Sequence, residues 1–224
     1  MDTRLIPAGT AVLRCGTTPR YHLAEGCWDD LEVPSGASKL RQVGLEVAHN
    51  LNRAVERMTG DWLATIDDDH AYAPGTLLRL LRQMYERDLD VLVPLIVHKT
   101  PPYAPVLSGA ELNGHGLTAV QAAGTGYMLI RRRVFDGMDE PYFRVGQLDG
   151  DLYQEDIDFC LRACGRGFRV WCDPSTPIGH ITQVTVWPHV FSGGERGVFL
   201  ALGNDTVLPI RPAELAVGRA VGIA

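Results

Sequence analysis

Three groups of side chains in this sequence could do chemistry. Asp67-Asp68-Asp69 follows the apolar run Trp62-Leu-Ala-Thr-Ile66 without a break, Glu155-Asp156 opens a later amphipathic segment, and His180 comes after the strand-like stretch Phe168 to Cys172. Adjacent carboxylates repel one another, and a divalent cation among them relieves that cost. Carboxylate oxygens with one imidazole suit Mn²⁺ or Mg²⁺ better than zinc. A carboxylate away from such an ion could take a proton as a general base. Each group also has a plainer role. The triplet could be an acidic surface turn, Glu155 and Asp156 could complement the positive end of their helix, and His180 could be a hydrogen-bonded structural residue.

The elements that must position these groups read as alternating strands and helices. Thr10 to Cys15 reads as a first strand, Val43 to Met58 as a helix stopped by Gly60, and Trp62 to Ile66 as a buried strand. Leu77, Leu78, Leu81 and Met84 mark one face of a helix running to about Arg87, and Asp90 to Val97 is an apolar run of strand length. This βαβ order predicts a mainly parallel sheet, in which strand C-terminal ends converge on one edge. The separated acids and His180 can meet there. Thr118 to Ala123 and Tyr127 to Ile130 look extended around Gly124-Thr125-Gly126, Arg131 to Met138 reads as a short helix, and Glu155 to about Gly165 as a longer one. Arg20 to Ser38 is weakly patterned, with room for one short helix, and Gly146 to Tyr153 reads as a loop.

The 224 residues suit one domain with a substantial core, extending from a first half of about 1–110 through 111–182 to a C-terminal extension, 183–224. A hydrophobic content of 46% and a charged content of 21% are ordinary for a globular chain. The net charge of −6 argues against broad nucleic-acid binding. No apolar run approaches the roughly 20 residues that cross a bilayer, and Met1-Asp-Thr-Arg4 lacks the pattern of a signal sequence, so a cytoplasmic location is expected. Five cysteines do not form an even disulfide framework. Cys160, Cys164, Cys172 and His180 allow a zinc site to be imagined, but no C-x2-C knuckle is present.

Three stretches carry a family resemblance. They are VAHNLNRAVERMTGDWLATIDDDHAYAPGTLLRLL, then GTGYMLIRRRVF, then QEDIDFCLRACGRGFRVWCDPSTPIGHI. In this order and spacing the chain resembles nucleotide-sugar-dependent glycosyltransferases of the GT-A fold, in their family 2-like branch, over roughly residues 9–182. The resemblance implies a Rossmann-like α/β domain, a metal-dependent hexosyl transfer to an acceptor hydroxyl, and inversion at the sugar carbon. Asp67-Asp68-Asp69 stands at the family's Asp-x-Asp motif. By that analogy Asp67 would contact the ribose or the metal's water shell, and Asp69 would ligate Mn²⁺ or Mg²⁺. His180 would complete the metal shell. Glu155-Asp156 matches the pair in which the aspartate takes the acceptor's proton. Gly124, Thr125 and Gly126 would border donor sugar and acceptor, and Asn50 would face the nucleotide.

The implied partners are a nucleotide-sugar donor and a glycan, protein or small-molecule acceptor. No clear counterpart of the family's uridine-contacting acid is visible, with Asp29 and Asp30 the nearest options. Lys99 and Arg131 to Arg133 could neutralise phosphates. Lys99 to Leu107, Asp139 to Tyr153 and the tail could form the acceptor site. Two other readings compete. A nucleotidyltransferase would show a glycine-rich basic loop, of which Cys15 to Arg20 is a poor version. A non-catalytic sugar- or nucleotide-binding module would have little reason to keep clustered acids.

Overall fold

A computed structural model describes residues 6–16, 21–44, 46–100, 102–109, 112, 116–148, 151–194, 196–202 and 206–210. The chain forms two compact units, Met1–Val97 with Pro105–His180, and His98–Ala104 with Ile181–Ala224. In the first unit β1 (Thr10–Cys15), α1 (His22–Asp29), β2 (Ser38–Val43) and α2 (Val47–Glu56) lead to β3 (Trp62–Asp67). Then follow β4 (His70–Ala71), α3 (Thr76–Glu86), β5 (Val91–Leu95), β6 (Leu107–Ser108), β7 (Thr118–Val120) and β8 (Ala122–Ala123). The unit closes with β9 (Tyr127–Arg131), α4 (Arg132–Asp136), β10 (Gly146–Leu148), β11 (Asp151–Tyr153), α5 (Glu155–Gly165), β12 (Val170–Pro177) and β13 (Gly179–His180). The second unit contains an antiparallel meander of β14 (Val184–Val190), β15 (Arg196–Leu202) and β16 (Thr206–Ile210). The expected extension 183–224 falls within that unit.

Seven strands form the central sheet in the order β2-β1-β3-β9-β5-β12-β7. β1 pairs in parallel with β2 and β3, and β5 with β12, whereas β9 enters antiparallel between β3 and β5, and β7 lies antiparallel on β12. Five strands therefore share one direction, as the βαβ order predicts, and two oppose them. Strand alternation divides the buried side chains between two faces. Val12, Leu63, Val91, Met128 and Ile130 pack on the side of α2 and α5. Ala11, Leu13, Trp62, Ala64 and Ile66 pack on the side of α1 and α3. Both faces of β3 are covered, which is why its sequence is continuously apolar up to the acids.

The helices follow the apolar period with small corrections. α3 buries Leu77, Leu80, Leu81 and Met84, an i, i+3, i+4, i+7 set, and leaves Leu78 half-buried. α2 starts later than its pattern suggests because Glu46 caps it, accepting from the N–H groups of Ala48 at 3.0 Å and His49. The weakly patterned region holds α1 and the edge strand β2. The sequence Ser38-Lys-Leu-Arg-Gln-Val43 hid that strand, since an edge strand has one neighbour and needs little apolar surface. Gly146 to Tyr153 forms a hairpin of β10 and β11 rather than an irregular loop, with residues 149–150 outside the described set. Among the described residues no helix is long and apolar enough to cross a membrane.

Gly60 does not terminate α2; it sits two residues before β3 with φ +77. A Cβ there would lie 2.1 Å from the Ala8 carbonyl oxygen, and the next residue, Asp61, donates to that same oxygen at 2.8 Å. Backbone meets backbone here, so a side chain has nowhere to go. Gly60→Ala should destabilise the protein by about 2 kcal/mol or more in urea denaturation, without altering the sheet's circular-dichroism signature.

Candidate active site

The strand order brings the predicted residues to one end of the sheet. Arg14 of β1 and Asp67 of β3 are register neighbours in the parallel pairing and project to the same face. The Arg14 guanidinium grips the Asp67 carboxylate with both prongs, Nε to Oδ1 at 2.7 Å and Nη2 to Oδ2 at 2.5 Å. Both side chains are mostly buried, 13% and 22% exposed, so the pair is shielded from solvent screening. Burial works against the Arg14 charge, and the carboxylates of Asp67, Glu155 and Asp69 together more than offset it. Arg14 was not among the predicted residues. Its signal was a lone charge inside Thr-Ala-Val-Leu-Arg-Cys, an apolar strand in which an arginine requires a buried anion.

A cleft opens above this pair, lined by Arg14, Asp67, His70, Gly124 to Gly126, Glu155, Asp156 and His180, with Val47, Ile96 and Val106 among its apolar walls. Asp67 donates its backbone N–H to the Gly126 carbonyl at 2.8 Å, and the buried Thr65 hydroxyl donates to the Thr125 carbonyl at 2.7 Å. The Gly-Thr-Gly turn is thus locked to the end of β3. A Cβ on Gly124 would meet Val106 at 2.8 Å and come within 3.7 Å of an Asp156 carboxylate oxygen. The turn and the α5 acids therefore face each other directly.

Asp156 is half-buried at the start of α5, its Oδ1 accepting the N–H of Ile157 at 2.7 Å. Burial pushes its carboxyl above the ordinary aspartate value and Asp67 adds to this, while the backbone N–H groups and Arg14 pull it back. Glu155 is buried, and burial raises its carboxyl too, with Asp156 and Glu46 adding and its own backbone N–H and Arg14 opposing. Both acids do sit in the first turn of α5, so their helix-end role and their place in the cleft coexist.

His180 arrives by a local irregularity. β12 slips its register against β5 between Asp173 and Pro177. The buried Asp173 carboxylate holds that kink, accepting from the Ser175 N–H and hydroxyl at 3.0 and 2.5 Å, the Thr176 hydroxyl at 2.5 Å and the Gln83 amide at 2.9 Å. Burial alone would raise the Asp173 carboxyl; the donors of Ser175, Thr176 and Gln83 together bring it below its ordinary value. Beyond the kink, β13 pairs antiparallel with β4, and His180 falls opposite His70. His180 Nδ1 lies 2.8 Å from the Val97 carbonyl oxygen. A carbonyl only accepts, so Nδ1 is the donor in this contact, and in a neutral ring the lone pair is then on Nε2. That Nε2 is 3.6 Å from Asp69 Oδ2. Asp69, His70 and His180 bring potential ligand atoms within 4.8 Å of one another.

Three predicted residues lie outside the cleft lining: Asp69, which stands beside the lining residues His70 and His180, and Asp68 and Asn50. Asp68 occupies the turn between β3 and β4, and the buried Asn50 donates its amide to the Gly44 carbonyl at 2.9 Å, bracing the entry to α2. The basic residues suggested for phosphate contact are also elsewhere. Arg131 pairs in register with Trp62 at the opposite end of β3, and Arg131 and Arg133 engage Asp61, Asp88 and Asp90. Lys99 belongs to the second unit. The suggested phosphate loop at 17–20 lies outside the described residues. No disulfide links the five cysteines. Burial pushes the Cys160 and Cys172 thiols up to about 12, and among the described residues no cysteine joins the one group of potential ligand atoms, Asp69, His70 and His180.

Known proteins resemble this chain in part of its sequence and in its fold. Residues 39–136 match the glycosyl transferase family 2 model, a segment that holds the acid triplet and Gly124 to Gly126 and ends before Glu155. A197 from STIV is similar in structure, with a TM-score of 0.54 and 15% identity, over 90% of this chain and 98% of that one. So is the mannosyltransferase PcManGT from Pyrobaculum calidifontis, solved with GDP-Man and Mn²⁺, with a TM-score of 0.53 and 12% identity, over 81% of this chain. This chain spans 59% of that mannosyltransferase. At such identities the two likenesses speak for the fold. No curated protein matches the chain by sequence. Over residues 39–136 the chain is thus similar to glycosyl transferase family 2, and its sheet topology is that of a Rossmann-like GT-A α/β fold.

The buried Arg14–Asp67 pair generates a stability test. Arg14→Gln strands a mostly buried carboxylate among Glu155 and Asp156, and should cost about 3 kcal/mol in chemical denaturation. The double change Arg14→Gln, Asp67→Asn removes both charges and should recover more than half of that loss.

Proposed function

We propose that the cleft transfers a sugar from a nucleotide-sugar donor to an acceptor hydroxyl, with Asp156 as the base and Asp69 and His180 as cation ligands. The observation that carries this reading is the contact of His180 Nδ1 with the Val97 carbonyl oxygen at 2.8 Å. With Nδ1 donating to that carbonyl, Nε2 is the nitrogen that can ligate, and it lies 3.6 Å from Asp69 Oδ2, as in metal-binding histidines oriented through their other nitrogen. One carboxylate and one imidazole leave coordination positions for water and phosphate oxygens, which suits Mn²⁺ or Mg²⁺. When bound, such a cation supplies charge neutralisation for the departing nucleoside diphosphate.

The protein's own groups divide the remaining work. Asp156 Oδ2 faces Gly124 across the cleft, where an acceptor hydroxyl can approach the donor sugar. Asp156 accepts the hydroxyl proton as the acceptor oxygen bonds to the anomeric carbon, and the bond from that carbon to the diphosphate oxygen breaks. Attack opposite the leaving group inverts the anomeric centre. Glu155 is the buried carboxyl next to Asp156 in the first turn of α5. Asp67 is fixed by Arg14, and each of its oxygens retains a second lone pair for the ribose or a cation-bound water. Gly124, Thr125 and Gly126 leave the space through which sugar and acceptor meet. Asp68 and Asn50 take no direct part. The transferred unit is a hexose in this reading, and GDP-linked sugars come first for testing because the mannosyltransferase neighbour was solved with GDP-Man.

Calorimetric titration with UDP-, GDP-, TDP- and CMP-sugars, each with and without Mn²⁺, tests the donor site. Manganese-dependent binding of one nucleotide, abolished in Asp69→Ala, is the expected result; no binding of any would leave the resemblance as one of fold. Asp156→Asn should lower turnover by about 10²–10⁴-fold while nucleotide binding with Mn²⁺ stays intact. Because burial raises the Asp156 carboxyl and the base acts ionised, the rate should climb with pH along an acid limb centred above the ordinary aspartate value. A limb centred at or below that value would exclude Asp156 as the base.

A further inference from the structure

His70 follows the acid triplet directly, yet no part of the reaction described above uses it. It is the most deeply buried group of the Asp69, His70, His180 cluster, at 2% exposure. Its ring lies on that of His180 with centroids 4.6 Å apart and planes 16° from parallel. Its Nδ1 is 3.0 Å from Asp69 Oδ1, and neither ring nitrogen completes a hydrogen bond of good angle. A buried imidazole held this way is costly, and a fold tolerates it where it serves a purpose. Gly126 makes the room: a Cβ there would lie 2.7 Å from His70 Cε1 and 3.1 Å from Nε2.

The geometry separates two roles. Imidazole lone pairs lie in the ring plane, and the two rings occupy near-parallel, stacked planes. One ion cannot lie in both, so with His180 Nε2 directed at the site His70 is poorly placed to share it. His70 instead touches both proposed ligands at once, the His180 ring by its face and the Asp69 carboxylate by Nδ1. A carboxylate only accepts, so the proton sits on Nδ1. Ligation through Asp69 Oδ2 leaves Oδ1 to receive that N–H, and a small turn of the carboxylate completes the bond.

We propose that His70 is a positioning residue for the cation site, fixing the Asp69 carboxylate through Nδ1–H and the His180 ring by stacking. This inference rests on the cation reading of the proposed function. Groups that orient metal ligands in this way are worth about 10–100-fold in metal affinity. Asparagine can present an N–H near the place of Nδ1, whereas phenylalanine keeps the stack and the volume but has no donor.

The test is Mn²⁺ binding to the full chain, read from the loss of the free-ion electron paramagnetic resonance signal, alone and with UDP, GDP, TDP or CMP. His70→Phe should weaken Mn²⁺ binding at least 10-fold and remove the rise in Tm that Mn²⁺ produces, whereas His70→Asn should stay within about 3-fold of wild type. Gly126→Ala, which drives the ring from its slot, should behave like His70→Phe and serves if that variant does not fold. Equal Mn²⁺ affinity in wild type and His70→Phe would overturn the role of His70 and leave the Asp69 and His180 site standing. Equal losses in the Phe and Asn variants would overturn the donor role of Nδ1. Failure of the wild type to bind Mn²⁺ under every condition would overturn the cation reading, and this one with it.

Discussion

The ion pair of Arg14 with Asp67 is the constraint on which the rest of the site depends. Asp67, Glu155 and Asp156 line one cleft, with Asp69 at its edge, and in a partly buried setting their mutual repulsion is unfavourable. The parallel register of β1 and β3 sets a guanidinium beside the first of these acids, and its fork matches the carboxylate with two hydrogen bonds. Arginine serves here better than lysine, because a planar fork fixes a carboxylate's orientation whereas an ammonium only attracts it. Burial and Asp67 raise the Asp156 carboxyl above its ordinary value, while Arg14 and the backbone N–H groups oppose that rise. A carboxyl raised in this way suits the proposed role of general base.

The second half of the site depends on an irregularity. A strand that continued in register from Asp173 would run on along β5 and leave His180 in the sheet plane. The four donors on the Asp173 carboxylate stabilise a bulge instead, and the chain then pairs with β4, directly after the acid triplet. Two histidines 110 positions apart in sequence become cross-strand partners by this route. The same bulge leaves the Val97 carbonyl within reach of His180 Nδ1, which makes that nitrogen the donor in the contact. A short-range hydrogen-bond network thereby controls the chemistry of a long-range contact.

The sequence was most legible where one local rule decided the outcome. The apolar run of β3 ending in acids, the amphipathic period of α3 and the acids opening α5 all specify their elements without help from the rest of the chain. Failures came where partners decide. β2 lies at a sheet edge, so its polar residues gave no strand signal. The antiparallel entry of β9 between β3 and β5 depends on sheet order, which no local pattern encodes. Asn50 looks from its neighbours like a residue facing a ligand, yet its amide reaches the Gly44 carbonyl because the chain before α2 folds back on it.

By itself the sequence determined the inventory and much of the placement: strand-end carboxylates at 67–69, helix-start carboxylates at 155–156, a glycine-flanked turn at 124–126 and a late histidine. Those are consequences of strand and helix periods, which act over a few residues and leave their mark in residue type. Only the tertiary structure decided which groups face which. It gave Asp67 to Arg14, set Asp156 against Gly124, brought His180 Nε2 to 3.6 Å from Asp69 and stacked His70 on the His180 ring in the space that Gly126 leaves. Each of those contacts joins residues that are distant in the chain or belong to different strands. Their energies depend on burial and on hydrogen-bond angle, and both come into existence only when the sheet closes.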